Sequence, residues 1–318
     1  MENIFKRAGN DALRENPNSM VYPRVSDINI TIRGSDWYWA VTAVMGAATL
    51  VFVALAFRVP RSKRIFHYIT AAITMVATIA YFTMGSNLGY AAIPVEFVRS
   101  NPKVAGTARE IFYVRYIDWF ITTPLLLLDI MLTAGLPWPT ILYTLLLDEI
   151  MIVTGLVGAL VESRYKWGYF TFAMAALFYI AYNVTWVGRK HANALGSNIG
   201  RTYLMVGAWT IFLWFLYPIA WGLSEGGNVI APDSEAVFYG VLDIMAKPVF
   251  GALLLWGHRN IDPATLGLHI RDYDDAMHPS EKSGFGSAAA ANNGATGGVT
   301  GANTAPGVHN DTTATAAV

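Results

Sequence analysis

The sequence has no cysteine and unusually few charged residues, and both absences exclude classes of function. Without thiols the chain cannot form disulfides, thiolate nucleophiles or cysteine-based metal sites, and we predict no metal site. Charged residues make up only 14% of the chain, against about 25% in a typical soluble domain. The 22 basic side chains balance 22 acidic ones, so charge gives no reason to expect a nucleic-acid partner. Apolar residues make up 54%, and this excess indicates a membrane protein.

Seven apolar stretches are long enough to cross the hydrocarbon of a bilayer, which takes about 20 residues in a helix. Each stretch is predicted to be helical, because lipid offers backbone polar groups no partner outside the segment. The predicted fold class is an all-α membrane protein with seven transmembrane helices in one bundle. The predicted spans are 36–57, 67–90, 111–133, 139–161, 167–187, 202–223 and 236–256.

The links between spans differ in charge, and this difference predicts the orientation in the membrane. The links after the first and fifth spans are basic, and they contain Arg58, Arg61, Lys63, Arg64, Arg189, Lys190 and Arg201. The link after the sixth span is acidic. The positive-inside rule therefore places the N-terminus outside and the C-terminus in the cytoplasm. Basic residues in the N-terminal segment work against this orientation.

The chain is predicted to have three parts. Residues 1–35 are polar and are predicted to form an extracellular segment. Residues 36–257 form the predicted seven-helix domain. Residues 258–318 are predicted to be a cytoplasmic tail that is largely disordered. The end of this tail is mostly Gly, Ala, Asn, Thr and Ser, which cannot bury enough apolar surface to offset the chain entropy.

Charged residues within the spans are few, so each is a candidate functional residue. Lys247 lies near the middle of the seventh span, and Asp243 precedes it by one helical turn on the same face. The spacing supports two interpretations equally. One is a structural ion pair between helices. The other is a lysine that its surroundings keep reactive, able to form a Schiff base with a carbonyl ligand.

The third span carries a narrow stripe of polar residues, namely Arg115, Asp118, Thr122 and Asp129. Asp118 and Asp129 are separated by ~16 Å along the helix axis. Lys247 is predicted at a depth between them, so the pattern predicts a proton relay with a carboxylate on either side of the amine. The alternative is a polar seam for helix packing, but such seams usually use small or neutral polar residues rather than two acids.

Four separated segments resemble helices of bacteriorhodopsin and the fungal rhodopsins, in the same order along the chain. They are Arg115–Asp129, Asp148 with Ile150–Leu160, Trp214–Trp221 and Leu242–Lys247. The resemblance covers roughly residues 35–260. The chain therefore resembles a microbial rhodopsin of the fungal branch, which implies a seven-helix bundle with retinal in its core.

The resemblance also implies roles for individual residues. All-trans retinal would be bound covalently to Lys247 as a protonated Schiff base. Asp118 would be the counterion and proton acceptor, Asp243 the second counterion and Asp129 the proton donor, which apolar surroundings keep protonated until it is needed. Arg115 would help to send the proton outward, and Thr122 would lie between the acceptor and the donor. Thr70 matches the position that hydrogen-bonds the donor.

An aromatic pocket for the polyene is implied as well, formed by Tyr81, Trp119, Thr122, Leu126, Met151, Gly155, Trp214, Tyr217, Pro218 and Trp221. Without the lysine, these aromatics would be interpreted as ordinary packing. Glu225 and Glu235, near the outer link, are candidates for a proton-release pair, and solvated loop residues are the alternative. Three residues depart from bacteriorhodopsin: Phe170 where a pocket tryptophan is expected, Glu149 where glycine is frequent, and Pro248 directly after the lysine.

The implied function is that of a light-driven ion transporter, not an enzyme, which pumps protons outward. The alternative is a sensory photoreceptor that signals through a partner with slow or no pumping, but such a sensor has less need of a carboxylic donor at Asp129. The charge of Asp118 disfavours a chloride pump, and the apolar first two spans disfavour a channel. Expected partners are membrane lipid and protons, in a eukaryotic plasma membrane. Family members often form trimers, so a homo-oligomer is expected from the resemblance alone.

Overall fold

The computed structural model describes residues 10–15 and 26–268 of the chain. Most of the predicted extracellular segment and nearly all of the predicted tail fall outside this part. The prediction of disorder in the tail therefore concerns residues that lie outside the described ones.

Within the described residues, seven helices are long and apolar enough to cross a membrane. They are α1 Ile32–Ala56, α2 Ile65–Gly85, α3 Tyr113–Thr133, α4 Trp138–Leu160, α5 Lys166–Leu195, α6 Ser197–Gly226 and α7 Pro232–His258. A one-turn helix, Ala12–Glu15, precedes them, and short 3-10 turns occur at Arg61–Lys63 and Pro263–Leu266. The predicted all-α, seven-helix fold class is confirmed.

The outward faces of the helices are apolar. On α1, for example, the side chains of Leu50, Val51 and Phe57 are exposed. Continuous apolar surface of this kind is rare on soluble monomers. Together with the lengths of the helices, it identifies an integral membrane protein.

The three largest differences from the predicted spans lie beside glycines. The second span was predicted to reach residue 90, but α2 ends at Gly85, and Asn87 and Gly89 then adopt positive φ values of 58° and 74°. A side chain at Gly89 would also clash with Val114, so only glycine fits this turn. The fifth and sixth spans extend toward each other until Gly196 alone separates them, with φ at 138°.

The long link between α2 and α3 contains a β-hairpin that the sequence patterns did not predict. Strand β1, Ala91–Pro94, pairs antiparallel with β2, Ala108–Ile111. The segment before α1 covers the free edge of β2, where the Ile28 N–H donates to the Ala108 carbonyl at 3.0 Å. We call this end of the bundle the hairpin end. The opposite end, where α3 finishes beyond Asp129, is the Asp129 end.

Three of the helices contain a π-helical segment, at Asn183–Gly188 in α5, Gly222–Gly226 in α6 and Met245–Val249 in α7. The wider turn changes which backbone carbonyls accept an intrahelical hydrogen bond. In two of these segments a side chain donates to a backbone carbonyl. The hydroxyl of Tyr203 donates to the Val184 carbonyl at 2.7 Å. The indole of Trp209 donates to the Met245 carbonyl at 2.9 Å. Pro248 lies within the α7 segment, where its missing N–H coincides with this irregular turn.

Candidate functional site

The predicted lysine and two predicted carboxylates meet in the centre of the bundle. Lys247 Nζ lies 2.8 Å from Asp243 Oδ1 and 3.0 Å from Asp118 Oδ2. All three residues are buried, with no more than 2% of their surface exposed. Because removal of charges from water is costly, such a cluster persists only when the charges compensate one another. Two carboxylates compensate the ammonium here and leave one negative charge in excess.

The two carboxylates differ in their other partners. Asp243 accepts hydrogen bonds from the hydroxyls of Tyr81, at 2.6 Å, and Tyr217, at 2.7 Å. Asp118 accepts no such bond from the described residues. Since two hydroxyl donors already point at Asp243, Asp118 is the carboxylate with oxygen lone pairs free to receive a proton. Tyr81, which was expected in the pocket wall, therefore contacts the second carboxylate instead.

A cavity opens beside Lys247 and encloses about 750 Å³, its open side included. Its walls are almost entirely apolar and aromatic. Of the residues expected to line it, the wall contains Trp119, Leu126, Met151, Gly155, Trp214, Tyr217, Pro218 and Trp221. Thr122 is not among the wall residues, and its buried hydroxyl donates to the Asp118 carbonyl at 2.8 Å. A cavity with apolar walls and a primary amine at one end suits a long, apolar carbonyl compound.

Sequence patterns did not single out several other wall residues, namely Tyr116, Thr123, Ile152, Ala173, Met174, Leu177 and Ala246. All of these except Tyr116 are small or flexible apolar residues or threonine, and such residues look the same in a sequence whether they face a ligand or lipid. Phe170 stacks on Trp221, with ring centroids 5.1 Å apart and planes inclined by 27°. An aromatic ring therefore still closes the wall where a tryptophan was expected.

A second buried cluster lies at the hairpin end and contains both glutamates of the expected release pair. Arg115 Nη1 lies 2.7 Å from Glu235 Oε1 and 3.1 Å from Glu225 Oε1. The other oxygen of Glu235, Oε2, lies 2.6 Å from Arg109 Nη2. Both glutamates are buried, since Glu225 is 5% exposed and Glu235 is 2% exposed, so neither is a solvated loop residue. Two arginines and two carboxylates leave the cluster without net charge.

Arg109 and three tyrosines of this cluster were not predicted. The hydroxyls of Tyr116 and Tyr239 donate to Glu225 at 3.2 and 3.1 Å. Arg115 donates to the Tyr38 hydroxyl at 3.0 Å. The only available signal was the position of Arg109, which is six residues before Arg115, but a basic residue in a predicted loop is unremarkable.

Glu110 is a further buried acid at the hairpin end, outside the membrane-spanning helices. Its Oε2 accepts the Ile30 N–H at 2.9 Å, whereas Oε1 has no hydrogen-bond partner among the described residues. Burial raises the pKa of Glu110 to about 8, and the nearby charge of Glu235 acts in the same direction. Glu110 therefore carries a proton at neutral pH.

Asp129 stands apart from these clusters, in an apolar environment. It is fully buried, and neither carboxyl oxygen has a hydrogen-bond partner among the described residues. The expected hydrogen bond from Thr70 is not made. The Thr70 hydroxyl instead donates within its own helix to the Phe66 carbonyl at 2.7 Å. An isolated buried carboxyl group is stable only in its neutral form.

Of the two adjacent acids in α4, one is buried in the bundle and the other is not. Asp148 is fully buried, and its Oδ2 accepts a hydrogen bond from the Thr123 hydroxyl at 2.8 Å. Glu149 is only partly buried. Successive helical residues face different directions, so Glu149 points away from the cluster around Lys247.

Comparison with known proteins covers nearly all of the seven helices. A model of the bacteriorhodopsin-like protein family matches residues 34–261. The opsin-like protein carO of Fusarium fujikuroi is 67% identical over 270 residues, which cover 85% of this chain and 88% of carO. A light-driven proton pump from Leptosphaeria maculans is similar in structure, with a TM-score of 0.69, 36% identity and coverage of 74% of this chain and 99% of the pump. The light-driven proton pump of Coccomyxa subellipsoidea has a TM-score of 0.69 at 39% identity, over 73% of this chain and 99% of that protein.

Proposed function

Because this chain belongs to the bacteriorhodopsin-like family, we propose that it is a light-driven pump that moves protons outward, with all-trans retinal attached to Lys247. The observation that carries the proposal is the arrangement of carboxyl groups around the lysine. Asp118 contacts Lys247 directly, while Asp129 is isolated in apolar surroundings toward the other end of α3. This arrangement supports Asp118 as the group that accepts a proton and Asp129 as the group that keeps one in reserve.

The cavity and its charges support the cofactor assignment. When bound, retinal supplies a light-driven isomerisation that reorients the nitrogen of Lys247. The apolar wall excludes water from the polyene, and the aromatic side chains of α3 and α6 restrict its position. Asp118 and Asp243 together stabilise a positive charge on the nitrogen, at 3.0 and 2.8 Å.

Asp118 is the proposed acceptor of the proton that the Lys247 nitrogen gives up. The transfer neutralises both partners of this ion pair, and the charge that remains on Asp243 is stabilised by the hydroxyls of Tyr81 and Tyr217. Asp243 is less suited to the task, because two tyrosine hydroxyls and Lys247 already occupy its oxygens. Tyr81 and Tyr217 are therefore assigned to keeping Asp243 in place as the second counterion.

Glu225 and Glu235 are proposed as the exit for the proton, with Arg115 as the link between them and the centre. Glu235 is paired with both arginines, whereas Glu225 is paired only with Arg115. Glu225 is therefore the member of the pair better suited to carry the transported proton. A nearby arginine favours the charged form of a carboxyl group, so Glu225 holds a proton only while its contact with Arg115 is weakened.

Asp129 is the proposed donor that returns a proton to the Lys247 nitrogen, with Thr122 on the face between them. Because Asp129 lies toward the opposite end of α3 from Arg115, uptake and release occur at different ends of the bundle. The basic residues between α1 and α2, and those in the adjoining ends of α5 and α6, support placing the Asp129 end in the cytoplasm and the hairpin end outside. Protons would therefore leave on the outer side.

The same proposal extends to the setting of the protein. We assign residues 1–35 to the outside, residues 36–257 to the seven-helix domain and residues 258–318 to the cytoplasm, in a plasma membrane. The protein would act as a transporter rather than an enzyme, with protons as cargo and lipid around its apolar faces. A trimer is proposed only because members of the family often form trimers.

A light-induced pH change tests the function. Cells that express the protein are supplied with all-trans retinal and illuminated in weakly buffered medium. The medium should acidify, and a protonophore should abolish the effect. Asp118→Asn should abolish pumping, and Asp129→Asn should slow it with the colour retained. A coloured protein that moves no protons would refute the pump and favour a photosensor, and a colourless protein would refute the role of Lys247.

A further inference from the structure

Arg109 is an arginine of the hairpin end that the proposed proton path leaves without a role. It belongs to β2 and is only 1% exposed. Its Nη2 donates to Glu235 Oε2 at 2.6 Å, and its Nη1 donates to Asn228 Oδ1 at 2.8 Å and to the Ile230 carbonyl at 2.9 Å. Every one of these partners belongs to α7 or to the link between α6 and α7. The hairpin therefore places a buried positive charge against one oxygen of Glu235.

Asn228 fixes the position of that guanidinium. It is buried, and its φ of 49° is a left-handed conformation that asparagine adopts more readily than most residues. Its Nδ2 donates to the carbonyls of Phe97 and Val104 at 3.2 and 3.1 Å. Because those carbonyls only accept and a guanidinium only donates, the amide satisfies all three partners only with Oδ1 toward Arg109. This acceptor is neutral, so it orients Arg109 and leaves the positive charge to Glu235.

The glutamates Glu225 and Glu235, which we call the exit pair, differ in what each would keep without Arg115. A single nitrogen, Arg115 Nη1, contacts both of them, at 3.1 Å and 2.7 Å. Glu235 has a second cation, Arg109, on its other oxygen, whereas the other oxygen of Glu225 accepts only the Tyr239 hydroxyl, at 3.1 Å. If Arg115 moves away, Glu235 keeps a cation and Glu225 does not. Because an unpaired buried carboxylate is unstable, the proton then belongs on Glu225.

Other charged and titratable groups face the exit pair from the neighbouring helices and from the hairpin. Tyrosine hydroxyls are neutral at about pH 7, and Glu110 carries a proton at that pH. Lys166 of α5 donates to the main-chain carbonyl of Glu225 at 3.3 Å and forms no ion pair among the described residues. In the described part of the chain, Arg109 is therefore the only cation besides Arg115 that contacts a carboxylate of the exit pair. The neighbouring groups are Tyr38, Tyr116, Tyr239, Glu110, Lys166 and Asp233.

We propose that Arg109, held by Asn228, is a positioning residue of the proton exit, which keeps Glu235 ionised so that Glu225 alone carries the transported proton. Without the charge of Arg109, the two acids would share the single charge of Arg115. The exit pair would then hold its proton more tightly, and release would be delayed. This role rests on the proposed function, because it concerns the exit of that pump.

Flash experiments on the purified pigment with retinal bound test this role. A pH-indicator dye in the medium reports when the proton is released, and visible absorbance reports when the Lys247 nitrogen is reprotonated. Early release, which precedes that reprotonation, should occur only above a midpoint pH, because below it the exit pair keeps its proton. A neighbouring opposite charge shifts the titration of a carboxyl group by about 1–3 pH units, and interacting acids titrate as a pair. Since loss of a positive charge favours the protonated form, Arg109→Gln should raise the midpoint by about one pH unit or more.

Further variants separate the charge of Arg109 from its packing. Asn228→Asp keeps the size of the side chain and keeps Arg109, but its carboxylate competes with Glu235 for the guanidinium, so the midpoint should rise. Arg109→Lys keeps the positive charge and should restore most of the shift. Arg99→Gln is the matched control, because the exposed Arg99 donates to the Gly227 carbonyl at 2.7 Å and forms no ion pair among the described residues. Its midpoint should equal that of the unmodified protein. A purely structural role of Arg109 would lower thermal stability in these variants without moving the midpoint.

Unchanged midpoints in Arg109→Gln and Asn228→Asp would overturn the role of Arg109. If Arg109→Gln forms no pigment, Asn228→Asp alone decides, because it keeps the arginine. Glu225→Gln distinguishes this failure from failure of the proposed exit. If Glu225→Gln abolishes early release while the Arg109 and Asn228 variants keep the normal midpoint, only the role of Arg109 is wrong. If Glu225→Gln still shows early release, or the unmodified protein shows none at any pH, the exit pair itself is wrong.

Discussion

Arg109 at the hairpin end should contribute more to stability than any exposed ion pair in the protein. Its guanidinium donates to Glu235 Oε2 at 2.6 Å, to Asn228 Oδ1 at 2.8 Å and to the Ile230 carbonyl at 2.9 Å. All of these contacts are buried or nearly so. Arg109→Gln leaves a buried carboxylate oxygen without its cation and cannot replace three donors. Removal of one partner of a buried pair typically costs about 3–5 kcal/mol.

Thermal bleaching of the pigment in lipid measures this effect. For a domain of this size, 1 kcal/mol corresponds to about 2–4 °C, so Arg109→Gln should lower the midpoint by roughly 6–20 °C. Lys63→Gln is the matched control, because Lys63 lies 2.8 Å from Asp262 but both side chains are nearly half exposed. An exposed pair contributes about 1 kcal/mol or less. Equal midpoints for the two variants would refute the assignment of stability to burial of the Arg109 pair.

Three further perturbations give defined outcomes. The folded protein keeps the Glu110 proton up to about pH 8, whereas the unfolded chain loses it near pH 4.5, so stability should fall as the pH rises between these values. Glu110→Gln should flatten that dependence in unfolding midpoints taken at about pH 6 and about pH 9. Gly188→Ala would force its Cβ against the Tyr203 hydroxyl and should cost about 1–3 kcal/mol in unfolding experiments, and Tyr203→Phe should relieve only part of this cost because the ring carbon also lies too close. Thr123→Val leaves the Asp148 oxygen without its donor and should lower stability by about 1–3 kcal/mol, a loss absent from Thr123→Ser.

The sequence predicts the centre of the site better than its outer end, for a physical reason. Asp118, Asp129, Asp243 and Lys247 lie in apolar spans, where a charge is costly and therefore conspicuous. Arg109 lies in a link between spans, where charged residues are common. Its burial depends on the hairpin and on the segment before α1, and both are tertiary features that no local pattern in the link reveals.

Hydrogen-bond partners were also less predictable than positions. Tyr81 was expected in the pocket wall, but its ring lies at the depth of Asp243 and its hydroxyl contacts that carboxylate. Thr70 was expected to contact Asp129, but a threonine in a helix can donate to a carbonyl one turn earlier, and Thr70 does so. Helical spacing fixes the face of a residue and leaves the choice between such partners open.

The π segments are a further feature that periodicity does not reveal. Each adds a single irregular turn to a helix of 27 or more residues. The apolar pattern on either side of such a turn remains helical. Pro248 was the one visible sign of the segment in α7, and the sequence showed it only as a departure from bacteriorhodopsin.

Photocurrent under voltage clamp distinguishes an outward proton pump from a channel or a photosensor. Cells that express the pigment are illuminated continuously while the proton gradient across the membrane is set to oppose outward movement. An outward pump should give a sustained outward current that persists against this gradient and disappears in Asp118→Asn. A current that reverses with the gradient, or only a brief transient with no steady component, would contradict the claim that this protein pumps protons outward.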